Sequence, residues 1–379
     1  MRVVRTGGDP ASIGELRAAL LAALDGGPAV LPLDPRNPAA PGLLAAMEPD
    51  TPVEPGTAVI IPTSGSTGGP KGVLLSPKAL LASAHATHAR LGGPGRWLLA
   101  TPANYVGGLQ VLVRAHVAGS EPVVLDTSRG FDPAAFAEAA ATLFASPGPH
   151  YTALVPTQLA RLLDAGGSGA NGFDAIVLGG ARLDDRLRER AAEAGVRVVS
   201  AYGMSETASG CVYDGVPLDG VRVRLGAGDR VELAGDVLAH GYRLRPGLTA
   251  EAFSGGWFRT SDVGRLHDDG RLEVLGRADD VINTGGVKVP AGSVERALTR
   301  HAGVRAACVV ALPDPEWGQI VAAAVVPEGP APPAEELKAL VREALGAPGV
   351  PKRLAFVAEL PLIGPGKIDR AAVRSTLLG

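Results

Sequence analysis

Lysine is scarce in this chain, six among 36 basic residues, so the setting of each lysine carries information. Lys71 ends a run of small residues, TSGSTGGPKG (63–72), that follows the apolar stretch VIIP. Lys367 stands in PGKIDR between turn formers, with Asp369 as the nearest acid. A bare loop with a cation at its end suits phosphate. Backbone N–H groups can surround the oxygens, the hydroxyls of Thr63, Ser64, Ser66 and Thr67 add donors, and Lys71 offsets charge. The spacing is not that of a P-loop NTPase. Skipping four residues after Gly65 lands on Pro70 where the second glycine belongs, and Gly72 occupies the place of the metal-binding hydroxyl. Three acidic patches follow. Glu206 lies among hydroxyls in AYGMSETASG, Asp262 follows Trp257 and Phe258 in GWFRTSDVG, and Asp279 belongs to GRADD after Arg277. Taken alone, these acids also fit a solvated loop, a turn cap and a charged linker.

The elements that must position these groups read as alternating strands and helices. TAVIIPTS runs into the loop, and Ser76 with Pro77 caps a following helix. RWLLATP, EPVVLD, YTALVP, FDAIVLGG and VRVVSAYG are expected strands with helices between them. That rhythm predicts an α/β fold, a parallel-rich sheet covered by helices. Glu206 then falls just after a strand, where open α/β sheets bind ligands. Beyond residue 215 the pattern becomes short strands with Gly/Asp turns, VRVRLGAGDRVELAG, DVLAHGYRL and RLEVLG, which predicts a small antiparallel or barrel-like part. The last hundred or so residues read as a small α+β unit. The expected organisation is a domain over 1–276, a hinge at 277–280 and a C-terminal domain over 281–379.

Composition sets limits. Of 379 residues, 46% are hydrophobic and 4% aromatic, so Ala, Val and Leu must do most of the packing. A net charge of −3 gives no basic footprint for nucleic acid. Cys211 and Cys308 form neither a CxxC nor a zinc spacing and are read as a reduced cytosolic pair. No apolar run reaches membrane-spanning length, and MRVVRTGGDPAS has no signal-peptide core, so a cytoplasmic protein is expected.

TSGSTGGPKG resembles the phosphate loop of the adenylate-forming enzymes, the acyl-CoA synthetases and their relatives. YGMSETAS (202–209), GWFRTSDVG (256–264), GRADDVINTGG (276–286) and PLIGPGKIDR (361–370) resemble further motifs of that family, in its order. The resemblance covers about residues 57–375, and the stretch before the loop looks trimmed. It implies the adenylate-forming fold, with a mobile C-terminal domain. It also implies ATP, Mg2+, coenzyme A and a small carboxylic acid as partners.

Residue roles follow from the same resemblance. Thr63, Ser64, Gly65, Ser66, Thr67, Gly68, Gly69 and Lys71 would hold the ATP phosphates. Glu206 would bind the Mg2+, and Thr207 would contact the α-phosphate. Tyr202 and Gly203 would pack beside adenine, with Gly179, Gly180 and Ala181 lining the adenine or acyl site. Asp262 would accept the ribose hydroxyls, and Arg277 would add a contact; the usual motif has glycine where Ser261 stands. Asp279 would be the pivot, and Gly285 and Gly286 would border the pantetheine channel. Lys367 would bridge the substrate carboxylate and the α-phosphate. Anion attacks anion in that step, and a cation must hold both.

CVYDG followed by PLDGV, with TPANYVGGLQVL, is similar to the o-succinylbenzoate–CoA ligases of short actinobacterial form. That implies ligation of 2-succinylbenzoate to CoA through an acyl-adenylate in menaquinone biosynthesis. Tyr105, Gln110 and Ser209 are then candidate acyl-pocket residues, and Tyr105 stands where relatives often carry histidine. Arg114 and His116 are equally readable as surface groups. A homodimer and hand-off to the next pathway enzyme are further expectations. The alternatives are a CoA ligase for another aryl or short acyl acid, a carrier-protein-loading adenylation enzyme, and a nucleotide-binding module without catalysis.

Overall fold

The computed structural model describes residues 1–63, 69–167, 169–362 and 368–378. The chain divides into two compact units. One comprises Met1–Leu183, Leu187–Val223 and Glu232–Arg259; the other comprises Asp184–Arg186, Arg224–Val231 and Thr260–Gly379. The expected boundary after residue 276 falls inside the second unit.

The first unit is α/β, as the alternating pattern predicts. Its larger sheet has seven strands in the order Val216–Pro217, Ser209–Tyr213, Val198–Met204, Ala175–Leu178, His150–Leu154, Arg96–Leu99, Val123–Val124. The five from Val198–Met204 onward are parallel, and Ser209–Tyr213 turns back antiparallel to Val198–Met204. The central strands read as unbroken apolar runs because helices cover them. Ile176, Leu178 and Leu98 share a core with Phe136, Leu143 and Leu159 from two such helices. The helix Pro77–Leu91 starts as predicted. The Ser76 side chain accepts from the Ala79 N–H at 3.1 Å, and Gly92 ends the helix in the left-handed region at φ 102°.

The second sheet of this unit has five strands in the order Arg2–Arg5, Val30–Leu33, Val59–Thr63, Lys71–Leu75, Gly241–Tyr242. This corrects one sequence expectation. DVLAHGYRL does not belong to the small antiparallel part. Its Gly241 and Tyr242 pair with Leu74 and Val73 at the edge of the phosphate-loop sheet. Two residues are too short for a periodic signal, so the tertiary partner decides the assignment.

A third sheet of short strands includes Phe253–Ser254, Trp257–Leu266 and Leu272–Arg277, the small antiparallel part that was expected. The C-terminal α+β sheet is built on the long hairpin Val304–Asp314 with Gly318–Pro327. Helices Ala291–Thr299 and Ala334–Leu345 supply Val294, Leu298, Leu337 and Val341 to one core with that hairpin. The terminal helix Arg370–Leu378 packs Val373 and Leu377 against Cys308 and Leu312 in a separate cluster. Both cysteines are buried, and burial pushes each thiol up to about 12, which makes them core residues rather than nucleophiles.

Candidate active site

The phosphate-loop sheet explains why Lys71 and Glu206, 135 residues apart, meet. Thr63 and Lys71 are register partners at the ends of their strands, so the loop 64–70 leaves and re-enters the sheet at one point. Lys71 Nζ donates to Glu206 Oε1 at 2.8 Å and to the Tyr242 hydroxyl at 3.1 Å. The Tyr242 hydroxyl donates to the same Glu206 Oε1 at 2.8 Å, and Lys71 Nζ lies 4.2 Å from the Tyr242 ring centroid. Glu206 is 6% exposed, so its charge is neutralised in place. Burial, reinforced by Glu206, drives the Tyr242 hydroxyl far above its ordinary range, and it stays a neutral donor. Ser64–Gly68 lie outside the described residues.

Gly72 has a packing reason to be glycine. A Cβ there would sit 2.4 Å from Met47 Sδ and 2.8 Å from Ile60 Cγ2. The missing hydroxyl of a P-loop site is therefore also excluded by the core beneath it.

Glu206 and Thr207 belong to a one-turn 3₁₀ helix, Ser205–Thr207, between two strands. Ala208 and Ser209 follow with φ 48° and 94°, a strained pair of non-glycine residues of about 1–3 kcal/mol each. The turn is tied down: Ala239 N–H donates to Glu206 O, and Ser83 Oγ donates to Ala208 O. Thr207 is wholly buried; its hydroxyl donates to Ser209 O at 2.7 Å and accepts from the Met204 N–H at 2.9 Å. In this arrangement Thr207 holds the Glu206 turn. Tyr202 and Gly203 lie on the strand that enters it, and Gly179, Gly180 and Ala181 follow the neighbouring parallel strand Ala175–Leu178. Gly69 has φ 108° at the far end of the loop.

In the second unit, Asp262 and Arg277 are direct cross-strand partners, so both expected ribose contacts come from one antiparallel pair. Arg277 donates to Asp279 at 2.8 Å; burial is the largest single effect and pushes the Asp279 carboxyl up, but the Arg277 bond and charge, with smaller contacts, together hold the group below its usual range. Gly285 and Gly286, at φ 57° and 83°, form the two-residue turn of the hairpin Val281–Thr284 to Val287–Pro290, which asks for positive φ at both positions. A Cβ on Gly285 would also meet the Trp317 ring at 2.6 Å. Lys367 lies outside the described residues. Its flanks are held by an isolated bridge between Leu362 and Ile368, and Arg370 pairs with Asp280 at 3.2 Å and Glu295 at 2.9 Å.

Two family models match: AMP-binding enzyme over residues 28–231, and AMP-binding enzyme C-terminal domain over residues 293–367. The chain belongs to the AMP-binding enzyme family. Among similar proteins, one of Mycobacterium tuberculosis (strain H37Rv) named "Probable 2-succinylbenzoate--CoA ligase" is 47% identical over 339 residues, 87% of each chain. A 2-succinylbenzoate–CoA ligase of Geobacillus kaustophilus is 34% identical over 84% of this chain and 69% of its own. Among solved structures, E. coli MenE with a bound analogue of OSB-AMS aligns at TM-score 0.77 and 26% identity, covering 99% of this chain and 87% of the other. The amide bond synthetase McbA of Marinactinospora thermotolerans aligns at TM-score 0.77 and 32% identity, covering 99% and 79%.

In this AMP-binding enzyme the acyl-side candidates separate. Tyr105 is 40% exposed, at the start of helix Val106–Val117. Gln110 is fully buried and donates to Leu80 O at 3.1 Å, so it packs between helices. Ser209 occupies the strained turn after Glu206. His116 is exposed, but Arg114 is not the surface group its sequence permits: it is 1% exposed, 5.0 Å over Trp97 and 3.4 Å from the Tyr213 hydroxyl, and its Nε has no partner among the described residues. Arg114 and Tyr242 are the residues that sequence reasoning missed. An available signal was Arg114 four residues after Gln110, on one helix face.

His88 packs beside this group and accepts from Trp97 Nε1 at 3.1 Å. Burial, then Arg114 and His85, pushes its imidazole down from 6.5 to about 4. The unfolded chain therefore binds a proton below pH 6.5 that the folded chain refuses until about 4. Stability should fall as pH drops through that window. His88→Asn should flatten the slope by up to about 1.4 kcal/mol per pH unit. Urea unfolding of both proteins between pH 7 and 4 measures this; parallel slopes would refute it.

Proposed function

We propose that this enzyme ligates 2-succinylbenzoate to coenzyme A through an acyl-adenylate, releasing AMP and diphosphate, in menaquinone biosynthesis. The observation that carries this reading is the 47% identity to the Mycobacterium tuberculosis protein across 87% of both chains. The Lys71–Glu206–Tyr242 geometry supports the shared adenylation chemistry. A carboxylate oxygen of the acid attacks the α-phosphorus, and the bond to the β-phosphate oxygen breaks. The CoA sulfur then attacks the acyl carbon, and AMP leaves. The substrate supplies the nucleophile in the first step, so the protein's task is to hold anions together.

The roles follow. The loop Thr63–Gly69 and Lys71 bind the departing diphosphate. Tyr202, Gly203 and Gly179–Ala181 border the adenine, and Asp262 and Arg277 take the ribose. Thr207 holds the turn that sets Glu206 toward the phosphates, and Lys367 bridges the two reacting anions. Asp279 is the pivot between the 1–276 and 281–379 portions, and Gly285 and Gly286 flank the pantetheine. Tyr105 and Ser209 border the acid.

Among the described residues no cluster of three or more His, Cys, Asp or Glu forms a metal cage. One nearly buried carboxylate fits a Mg2+ that arrives on the triphosphate, a common mode for that ion. Bound at Glu206, it would draw charge from the phosphate oxygens. Among the described residues no helix is long and apolar enough to cross a membrane. A cytoplasmic location, a homodimer and hand-off of the acyl-CoA to the next pathway enzyme complete the reading.

A panel of acids, assayed for CoA- and ATP-dependent AMP release, tests the assignment. 2-Succinylbenzoate should give the highest kcat/KM. A large preference for benzoate or a fatty acid would overturn the substrate, and product formation with an amine or carrier protein while CoA is ignored would overturn the acceptor.

A further inference from the structure

Tyr242 belongs to none of the motifs that led to the site, yet it touches both of the site's opposite charges. Its hydroxyl accepts from Lys71 Nζ and donates to Glu206 Oε1, and its ring lies under the ammonium. Such a placement needs a rigid backbone, and the chain around Tyr242 provides one. Tyr242 is 4% exposed and pairs with Val73 across the sheet, diagonal to Lys71 on the same face. Its N–H donates to Thr249 Oγ1 at 2.9 Å, and its ring packs 5.6 Å from Phe253. The next residue, Arg243, is locked to five carbonyl and carboxylate oxygens.

We propose that Tyr242 is a positioning residue for the metal–triphosphate unit: its hydroxyl fixes the Glu206 carboxylate and the Lys71 ammonium against each other before the nucleotide binds. This rests on the roles given above to Lys71 and Glu206. A triphosphate draws Lys71 toward its oxygens, and that leaves Glu206 nearly buried without its cation. The Tyr242 hydroxyl stays on Oε1, keeps that oxygen satisfied and so sets the orientation of the carboxylate. A neutral donor suits this task, because a second cation there would compete with the metal for Glu206.

Tyr242→Phe keeps the ring, its packing and the cation–π contact and removes the hydroxyl alone. ATP binding is measured by calorimetry with Mg2+ and with a chelator, for wild type, Tyr242→Phe, Glu206→Gln and the double variant, each with its melting temperature. Tyr242→Phe should weaken Mg·ATP binding roughly ten-fold, the loss expected for a hydrogen bond to a charged group. It should change metal-free ATP binding much less and leave the melting temperature within a few degrees of wild type. The double variant should bind Mg·ATP no worse than Glu206→Gln alone, because the hydroxyl acts through that carboxylate. Wild-type affinity in Tyr242→Phe with a loss in Glu206→Gln would overturn the positioning role alone. So would equal losses with and without metal, or additive losses in the double variant. Wild-type affinity in both single variants would overturn the metal-facing role of Glu206, and the proposal with it. Should Tyr242→Phe unfold, Lys71→Met, which takes the other bond from the hydroxyl, is read against Glu206→Gln in the same cycle, and additivity there counts against the proposal.

Discussion

Replacing Arg243 with alanine is expected to lower the unfolding free energy by about 3–5 kcal/mol, the range for removing one partner of a buried charge network. The guanidinium is fully buried and uses all five N–H groups. Nε donates to Met47 O, the two terminal nitrogens donate to Pro52 O, Glu48 O and Thr51 O, and a fifth bond reaches Glu54 Oε2 at 2.9 Å. One side chain thus satisfies the carbonyls of a loop with little regular structure of its own. Alanine would leave those acceptors unpaired and Glu54 without its cation, while the Leu244 N–H to Glu54 Oε1 bond remains. Arg243→Lys should recover part of the loss only, since three donors on a point charge cannot span five acceptors. Urea unfolding of the three proteins measures this. A loss below about 1 kcal/mol for alanine, ordinary for a surface change, would refute the clamp.

Lys367→Ala is expected to slow acyl-adenylate formation on the order of 10²–10³-fold, the range for removing a group that stabilises developing charge. It should leave thioester formation from supplied acyl-adenylate near wild type, because in that step a neutral carbonyl meets sulfur and AMP departs. Pyrophosphate exchange reads the first half-reaction, and CoA consumption with preformed acyl-adenylate reads the second. Equal losses in both would make Lys367 a structural residue, and full activity in both would refute its bridging role in the first step. The segment 363–367 lies outside the described residues, and the prediction stands on PGKIDR and on the chemistry of two anions. The described residues on either side are anchored, through the Leu362–Ile368 bridge and through Arg370 to Asp280 and Glu295.

Much of this was legible in the sequence because it is local. Ser76 and Pro77 start a helix wherever they stand before an apolar periodic run, and Gly285-Gly286 make a tight turn through their own backbone freedom. Continuous apolar strands alternating with helices leave few arrangements other than a covered parallel sheet. The glycine-rich loop, the acid after a strand and the lysine among turn formers likewise announced their chemistry by residue type.

Partnership was not legible, because it depends on which distant strands pair. No window of sequence places Tyr242 beside Lys71 or Arg243 under Gly72; the edge pairing of a two-residue strand does that. Arg114 reads as solvent-facing on any charge scale, and the packing of its helix against Tyr213 and Trp97 buries it. Thr207 shows the same division. Its type offered a hydroxyl to a phosphate, and the fold gave that hydroxyl to Met204 and Ser209 to hold a strained turn. Residue types and their spacing carry the class of chemistry and mark the elements that bear it. The tertiary structure decided which side chains share an oxygen, because burial and hydrogen-bond satisfaction are properties of the assembled core.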